Sequence, residues 1–215
     1  LDITNDLAQA VDDADLVLVA VPAATVRDNL QRLRDHLSPD AILVSATKGL
    51  EPGTALRMSE VMCRELPEAF WGRIAVLSGP NLAREVAAGL PTAAVAAAED
   101  EGVAQRVQVE LMTSRYLIYT NADIVGVEMG GALKNIIAIT AGICDGMHYG
   151  DNAKSALMTR GLAEITRLGI AAGASPLTFA GLAGVGDLLA TCASAYSRNH
   201  YVGEQLAKGR KIADI

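Results

Sequence analysis

Cysteine is scarce in this 215-residue sequence, with only Cys63, Cys144 and Cys192, far apart and never in C-x-x-C spacing. An odd, scattered set does not read as a disulfide framework; it reads as reduced thiols of a cytoplasmic protein. The histidines His36, His148 and His200 are equally dispersed, so no metal site is expected. Positive charge is in deficit: 18 Lys and Arg against 25 Asp and Glu leave a net charge of −7. That balance argues against a nucleic-acid partner, whose binders carry a basic footprint. A small anion remains admissible, because it answers to a local cluster and not to the global sum. No uninterrupted apolar run approaches the roughly 18 residues of a membrane helix, and the longest, Leu16–Val21 and Ile136–Cys144, fit buried elements. No integral membrane segment is therefore expected. The start, Leu1-Asp2-Ile3-Thr4, has neither an initiating Met nor a signal-peptide pattern, and is read as lying inside a longer protein.

What is present divides at about Asn121. The first part alternates strand and helix. Asp15–Val21, closed by Pro22, is an apolar β-branched run of the kind buried on both faces, and Ala41–Ala46, Ile74–Ser78, Thr92–Ala97 and Tyr116–Thr120 read as further strands. Helices are expected over about Thr25–His36, Thr54–Glu65, from near Asn81, and over Glu101–Thr113. Such alternation implies βαβ units and a mostly parallel sheet. After Asn121 the pattern is all-helical. Asp123–Cys144 is apolar or small almost throughout, with Gly126, Gly130 and Gly131 spaced so that another element can approach closely. A helix over about Asn152–Ala172 places Leu157, Leu162, Ile165 and Leu168 on one side, and shorter helices are expected at Gly186–Cys192 and Ser197–Lys208. A further absence matters here. A dinucleotide-binding α/β unit opens with G-x-G-x-x-G between its first strand and helix, whereas the cluster Gly181-Leu-Ala-Gly184-Val-Gly186 follows a helical region. It reads as a loop leading into a helix, and the first βαβ unit with its cofactor loop is read as missing from this chain.

Five places carry chemistry. Lys48, in Ser45-Ala-Thr-Lys48-Gly49, follows a buried strand, where ligands of open α/β sheets bind, although a turn lysine facing solvent is the plainer alternative. Gly79 and Asn81, in Ser78-Gly79-Pro80-Asn81, lie at another strand end, with backbone free for an anion or simply an N-cap. Lys134 and Asn135 sit in the middle of the apolar helix, where a buried lysine loses basicity and can act as a general base unless it snorkels outward. Asp187, followed by Thr191, can orient a lysine or merely favour a helix start. Ser197-Arg198-Asn199 opens a helix and can cradle a phosphate, or be a plain serine cap.

Taken in order, Ala46-Thr-Lys-Gly-Leu-Glu51, Leu77-Ser-Gly-Pro80, Ala87-Ala-Gly-Leu-Pro-Thr92, Gly131-Ala-Leu-Lys-Asn135, Thr159-Arg-Gly-Leu-Ala-Glu164, Gly184-Val-Gly-Asp187 and Ser197-Arg-Asn199 make the chain similar to bacterial NAD(P)-dependent glycerol-3-phosphate dehydrogenases. The resemblance implies a Rossmann-like sheet, incomplete at its start, over residues 1–121, and a helical domain like the C-terminal one of 6-phosphogluconate dehydrogenase over 122–215. It implies exchange of hydride between glycerol 3-phosphate and NAD or NADP, feeding glycerophospholipid synthesis, in a homodimer with a small phosphorylated substrate. By position, Lys134 matches the proton acceptor, and Lys48, Gly79, Asp187, Ser197, Arg198 and Asn199 match substrate contacts. Lys48, Ala83 and Arg198 match positions near the cofactor, Asn135 and Thr191 match polar groups lining the site, and Asn81 stands where relatives often carry Ser or Thr. The competing readings are a β-hydroxyacid dehydrogenase or ketopantoate reductase of similar plan, against which Ala46-Thr-Lys-Gly49 and Ser197-Arg-Asn199 discriminate, and a non-catalytic fragment. Because the pyrophosphate of a dinucleotide rests on the first helix and its glycine loop, a titration of this chain with NADH is expected to show far weaker binding than the complete enzyme; equal affinity would require another phosphate site.

Overall fold

A computed structural model describes residues 2–215. The elements are α1 (Leu7–Val11), β1 (Leu16–Val19), α2 (Val26–Leu33), β2 (Ile42–Ser45), α3 (Met58–Glu65), β3 (Ile74–Ser78), α4 (Ala83–Ala87), β4 (Thr92–Ala98), α5 (Glu101–Leu111) and β5 (Tyr116–Asn121). They are followed by α6 (Ile124–Gly146), α7 (Gly150–Ala171), α8 (Pro176–Phe179), a π-helical turn (Leu182–Gly186), α9 (Asp187–Ala193) and α10 (Arg198–Ala207). The five strands form one sheet in the order β1-β2-β3-β4-β5. All neighbours run parallel except β3 and β4, which pair antiparallel with Val76 opposite Ala97. This is the Rossmann-like, mainly parallel sheet with a helical C-terminal region that the alternation and the later all-helical stretch predict.

The faces follow from the side chains. On one side of the first three strands Val19, Leu43 and Ile74 pack with Val26, Leu30, Val61 and Met62 of α2 and α3. Each such fully buried aliphatic side chain contributes roughly 1.5–3 kcal/mol. The alanines of β4 serve two neighbours. Ala94, Ala96 and Ala98 pack with Ala104 and Val107 of α5, while the alternate Val95 and Ala97 meet Ile124 and Val127 of α6 and Ala183 of the π turn. Small residues on both faces of one strand let α5 and α6 sandwich it.

Several expectations are corrected. Within residues 2–215 β1 lies at one end of the sheet and Leu18 is 46% exposed, where burial on both faces is expected. The helix expected from Thr54 begins only at Met58. Gly53 and Ala55 adopt positive φ, and Leu50 bridges Arg57, so residues 50–57 form a tight loop instead. Leu168 is 52% exposed, whereas Ile165 of the same predicted stripe is buried. By length and composition α6, with mean hydropathy 1.4, and the stretch Pro176–Ala193, with 1.3, are apolar enough to cross a membrane, which a search for uninterrupted runs misses. In the structure α6 packs against α7, α9, α10 and β3, and Pro176–Ala193 is broken into α8, the π turn and α9.

Two polar ties fix α6. At its N-terminus Asp123 caps Gly126 N at 2.8 Å and also accepts from Ser175 N at 2.9 Å and Thr178 Oγ1 at 2.6 Å. One turn on, the Glu128 carboxylate accepts from Arg57 Nη1 at 2.6 Å and Ser59 N at 2.8 Å, joining α6 to the start of α3. Burial is the largest influence on that carboxyl and pushes its pKa above the ordinary glutamate value, against the pull of Ser59 and Arg57.

At the other end α6 crosses α10 with almost no separation. A Cβ on Gly203 would stand 1.9 Å from the Ile139 carbonyl oxygen, and one on Gly142 would stand 2.0 Å from that of His200. Asp145 of α6 then takes His200 at 2.7 Å and Lys154 of α7 at 2.9 Å. Gly203→Ala should therefore force the two helices apart and cost about 1–3 kcal/mol, read as a lowered urea midpoint with an unchanged m-value. A midpoint equal to wild type would show that the crossing has slack.

Candidate active site

The strand ends, α6 and α9 converge on one buried carboxylate. Asp187, 1% exposed, is the first residue of α9, where the π turn delivers it against α6. Its Oδ2 accepts from Lys48 Nζ at 2.9 Å, and its Oδ1 accepts from Lys134 Nζ. Lys134 Nζ also donates to Thr191 Oγ1 at 2.7 Å, and that hydroxyl donates back to the Asp187 carbonyl at 2.7 Å, one turn earlier on α9. The predicted alternative of an outward-snorkelling Lys134 does not occur: the residue is 6% exposed.

Lys48 reaches Asp187 because the loop after β2 is buckled in place. Thr47 Oγ1 donates to the Val21 carbonyl at 2.8 Å, and the Glu51 carboxylate accepts from Arg27 at 2.7 and 2.9 Å. The Lys48 ammonium spends its other two protons on the Gly79 carbonyl and Asn81 Oδ1, each at 2.9 Å. Gly79 sits at φ +124°, a conformation in which a side chain is strained, and a Cβ would also press on Ala94 Cα at 3.1 Å. The predicted strand-end residues Lys48, Gly79 and Asn81 are thus one hydrogen-bonded unit.

Beside this unit a cleft of about 720 Å³ lies between α4 and the start of α10. Its lining includes the buried Lys134 and Thr191, Asn81 and Ala83 at the entry to α4, and Ser197, Arg198 and Asn199 at the start of α10. Ser197 caps α10 by accepting from His200 N at 3.2 Å, and the first residues of the helix, whose N–H groups have no intrahelical partner, line the cleft. Asn199 Nδ2 donates to Asn135 Oδ1 at 2.8 Å, so Asn135 positions Asn199. Asp187, Lys48, Gly79 and Asn135 form the layer behind the lining. Arg84, Tyr196 and Tyr201 also line the cleft and were not singled out from the sequence. Each is an ordinary exposed residue type next to a noticed motif, and only the fold places α4 and the segment before α10 around one volume.

Burial is the main reason the Lys134 pKa falls from 10.5 to about 8, with the neighbouring Lys48 ammonium lowering it further and Asp187 pulling it back up. An amine with that pKa, lining a cleft, exchanges protons near neutrality. The same cleft is lined by a helix start suited to an anion.

Two family models match in chain order: the N-terminus of NAD-dependent glycerol-3-phosphate dehydrogenase over residues 1–104 and its C-terminus over residues 123–215. The chain belongs to the NAD-dependent glycerol-3-phosphate dehydrogenase family. Glycerol-3-phosphate dehydrogenase [NAD(P)+] of Dehalococcoides mccartyi strain 195 is 53% identical over all of this chain and 60% of its own length. The crystal structure of glycerol-3-phosphate dehydrogenase from Coxiella burnetii superposes with a TM-score of 0.90 at 37% identity, over 97% of this chain and 63% of that one. A ketopantoate reductase from Ralstonia eutropha, 14% identical with a TM-score of 0.53 over 80% of this chain and 56% of its own, shares the fold only. The chain spans about three fifths of the length of the curated glycerol-3-phosphate dehydrogenases it matches.

The Lys134 environment has a thermodynamic consequence. Between pH 8 and 10.5 the unfolded chain holds a proton on this lysine that the folded chain has released, so unfolding free energy rises with pH across that window. An NMR titration of the Lys134 side chain should give a midpoint near 8, and Asp187→Asn should move it lower by removing the carboxylate that favours the charged form. A midpoint at the ordinary lysine value would mean that Lys134 is solvated.

Proposed function

We propose that the full-length protein interconverts glycerol 3-phosphate and dihydroxyacetone phosphate with NAD or NADP, a reaction that feeds glycerophospholipid synthesis. In this reading residues 1–121 are the C-terminal part of the dinucleotide-binding domain and 122–215 the catalytic helical domain. The observation that carries it is Lys134: a buried amine with its pKa lowered to about 8, oriented by Asp187 and Thr191, in the lining of a cleft that includes an anion-suited helix start. Family membership adds the substrate class. A homodimer belongs to the same reading, as does a cytoplasmic location, with which the free thiols Cys63, Cys144 and Cys192 are in keeping.

The residues present fit a phosphorylated dinucleotide beside the substrate. The cleft is larger than a three-carbon phosphate requires, and its lining contains cations and no carboxylate. Ala83 and Arg198 would border the dinucleotide, with Lys48 close behind. The bound dinucleotide supplies or receives the hydride. The protein's part is proton transfer and placement. Neutral Lys134 accepts the proton of the secondary hydroxyl during oxidation; protonated, it donates to the ketone oxygen during reduction and stabilises charge developing there. Ser197, Arg198 and Asn199 hold the phosphate. Lys48, drawn back by Gly79 and Asn81, keeps Asp187 in register and adds positive potential along the path of the phosphorylated substrate.

In the full-length protein, Lys134→Ala should lower kcat for dihydroxyacetone phosphate reduction by about 10²–10⁴-fold, while NADH affinity measured by fluorescence stays the same. A variant within about threefold of wild-type kcat would place the proton acceptor elsewhere, with Lys48 the next group to replace.

A further inference from the structure

The lining of the cleft carries a cation for which the motifs and the proton chemistry above have no use. Arg84, in the first turn of α4, places its guanidinium carbon 5.5 Å from the centroid of the Tyr196 ring. Tyr196 directly precedes Ser197, the cap of α10, so the contact joins α4 to the segment next to the helix start that lines the cleft. A guanidinium lying over an aromatic face is held by the ring while its N–H edge stays free for an anion. Among the described residues Arg84 forms no ion pair.

Charge balance shows what that edge is for. The chain carries a net −7, yet the cleft is lined by Arg84, Lys134 and Arg198 without a single Asp or Glu. Asp187, in the layer behind, is shared by Lys134 and Lys48. Arg84 and Arg198 have no carboxylate to answer them, and they face one volume with two permanent positive charges. Such a pair matches a group carrying two negative charges and several acceptor oxygens, which is a phosphate monoester or a pyrophosphate.

We propose that Arg84, stacked on Tyr196, is a second phosphate-binding residue of this cleft, acting together with Arg198. The proposal rests on the reading that the cleft takes phosphorylated ligands. Arginine suits the place better than lysine, because the planar fork can stack on the ring and still donate in pairs. Its contribution is made to the bound phosphate in ground and transition states alike, so it belongs in KM or in cofactor affinity and not in kcat.

The test uses the full-length protein and its Arg84→Ala, Arg84→Lys and Tyr196→Leu variants, with melting temperatures measured to establish that each is folded. Arg84→Ala should raise KM for glycerol 3-phosphate about tenfold with kcat within about threefold, the size expected for one exposed charge-assisted hydrogen bond. Arg84→Lys should recover part of the loss, and Tyr196→Leu should show a smaller rise. If the NADH dissociation constant rises while KM for glycerol 3-phosphate does not, the phosphate recognised is the dinucleotide's, and the proposal stands with that source. KM and NADH affinity both within twofold of wild type would overturn it, as would an equal fall in kcat with KM unchanged. Binding of inorganic phosphate, followed by calorimetry, separates this proposal from the functional reading because it needs no turnover. A wild-type protein inactive on glycerol 3-phosphate would sink the functional reading. Arg84 would still be judged by phosphate affinity: weakened in Arg84→Ala supports the proposal, unchanged overturns it.

Discussion

One buried carboxylate holds the site together. Asp187 receives two lysines that arrive from opposite parts of the chain, Lys48 from the loop after β2 and Lys134 from the middle of α6. Without a shared anion two ammonium groups would not sit this close in so dry a place, since both desolvation and mutual repulsion oppose them. The arrangement therefore depends on the π turn, which advances α9 so that its first residue points at α6. Glycines make that turn possible: a Cβ on Gly184 would meet the Phe179 backbone at 2.2 Å, and one on Gly130 of α6 would meet the Ala183 carbonyl oxygen at 2.3 Å. The cluster Gly181–Gly186, which in a nucleotide fold would invite reading as a phosphate loop, serves here to seat the carboxylate.

The supports radiate from this point. Lys48 carries the tie outward to the ends of β2 and β3, and Glu51, bound to Arg27 and Thr54, keeps the following loop from swinging. Glu128 and Asp123 hold α6 against α3 and α8, so the helix cannot slide or rotate without breaking these partly buried hydrogen bonds.

Much of this was legible in the residues. Short apolar runs bounded by turns marked the strands, and a helix with little polar face favoured burial of Lys134 over snorkelling. Periodicity does not say which strand lies beside which or in what direction, so the antiparallel β3–β4 pair was not legible. Leu168 fits the helical stripe of α7 but is exposed within the described residues. In the site, residues flanked by glycine or set in apolar surroundings were visible, as with Lys48, Asp187 and Lys134, and Ser197-Arg198-Asn199 stood out as a polar helix start. Arg84 and Tyr196 carry no such mark, being 112 positions apart in the numbering and meaningful only once folding brings them face to face. Arg57 and Glu128 are hidden for the same reason, since a charge on a helix reads as solvated until its partner is known.

The bare-backbone crossing of α6 and α10 has a consequence of its own. The amine of Lys134 rides on one of these helices and the helix start bearing Arg198 on the other, and their contact at Gly142 and Gly203 leaves no side-chain layer that could stretch or compress. The two helices act as the jaws of a fixed caliper. On the function proposed above, a ligand held at both ends would be measured by the number of bonds between its charged group and its reacting carbon, against a gauge set by main-chain atoms at Gly142 and Gly203.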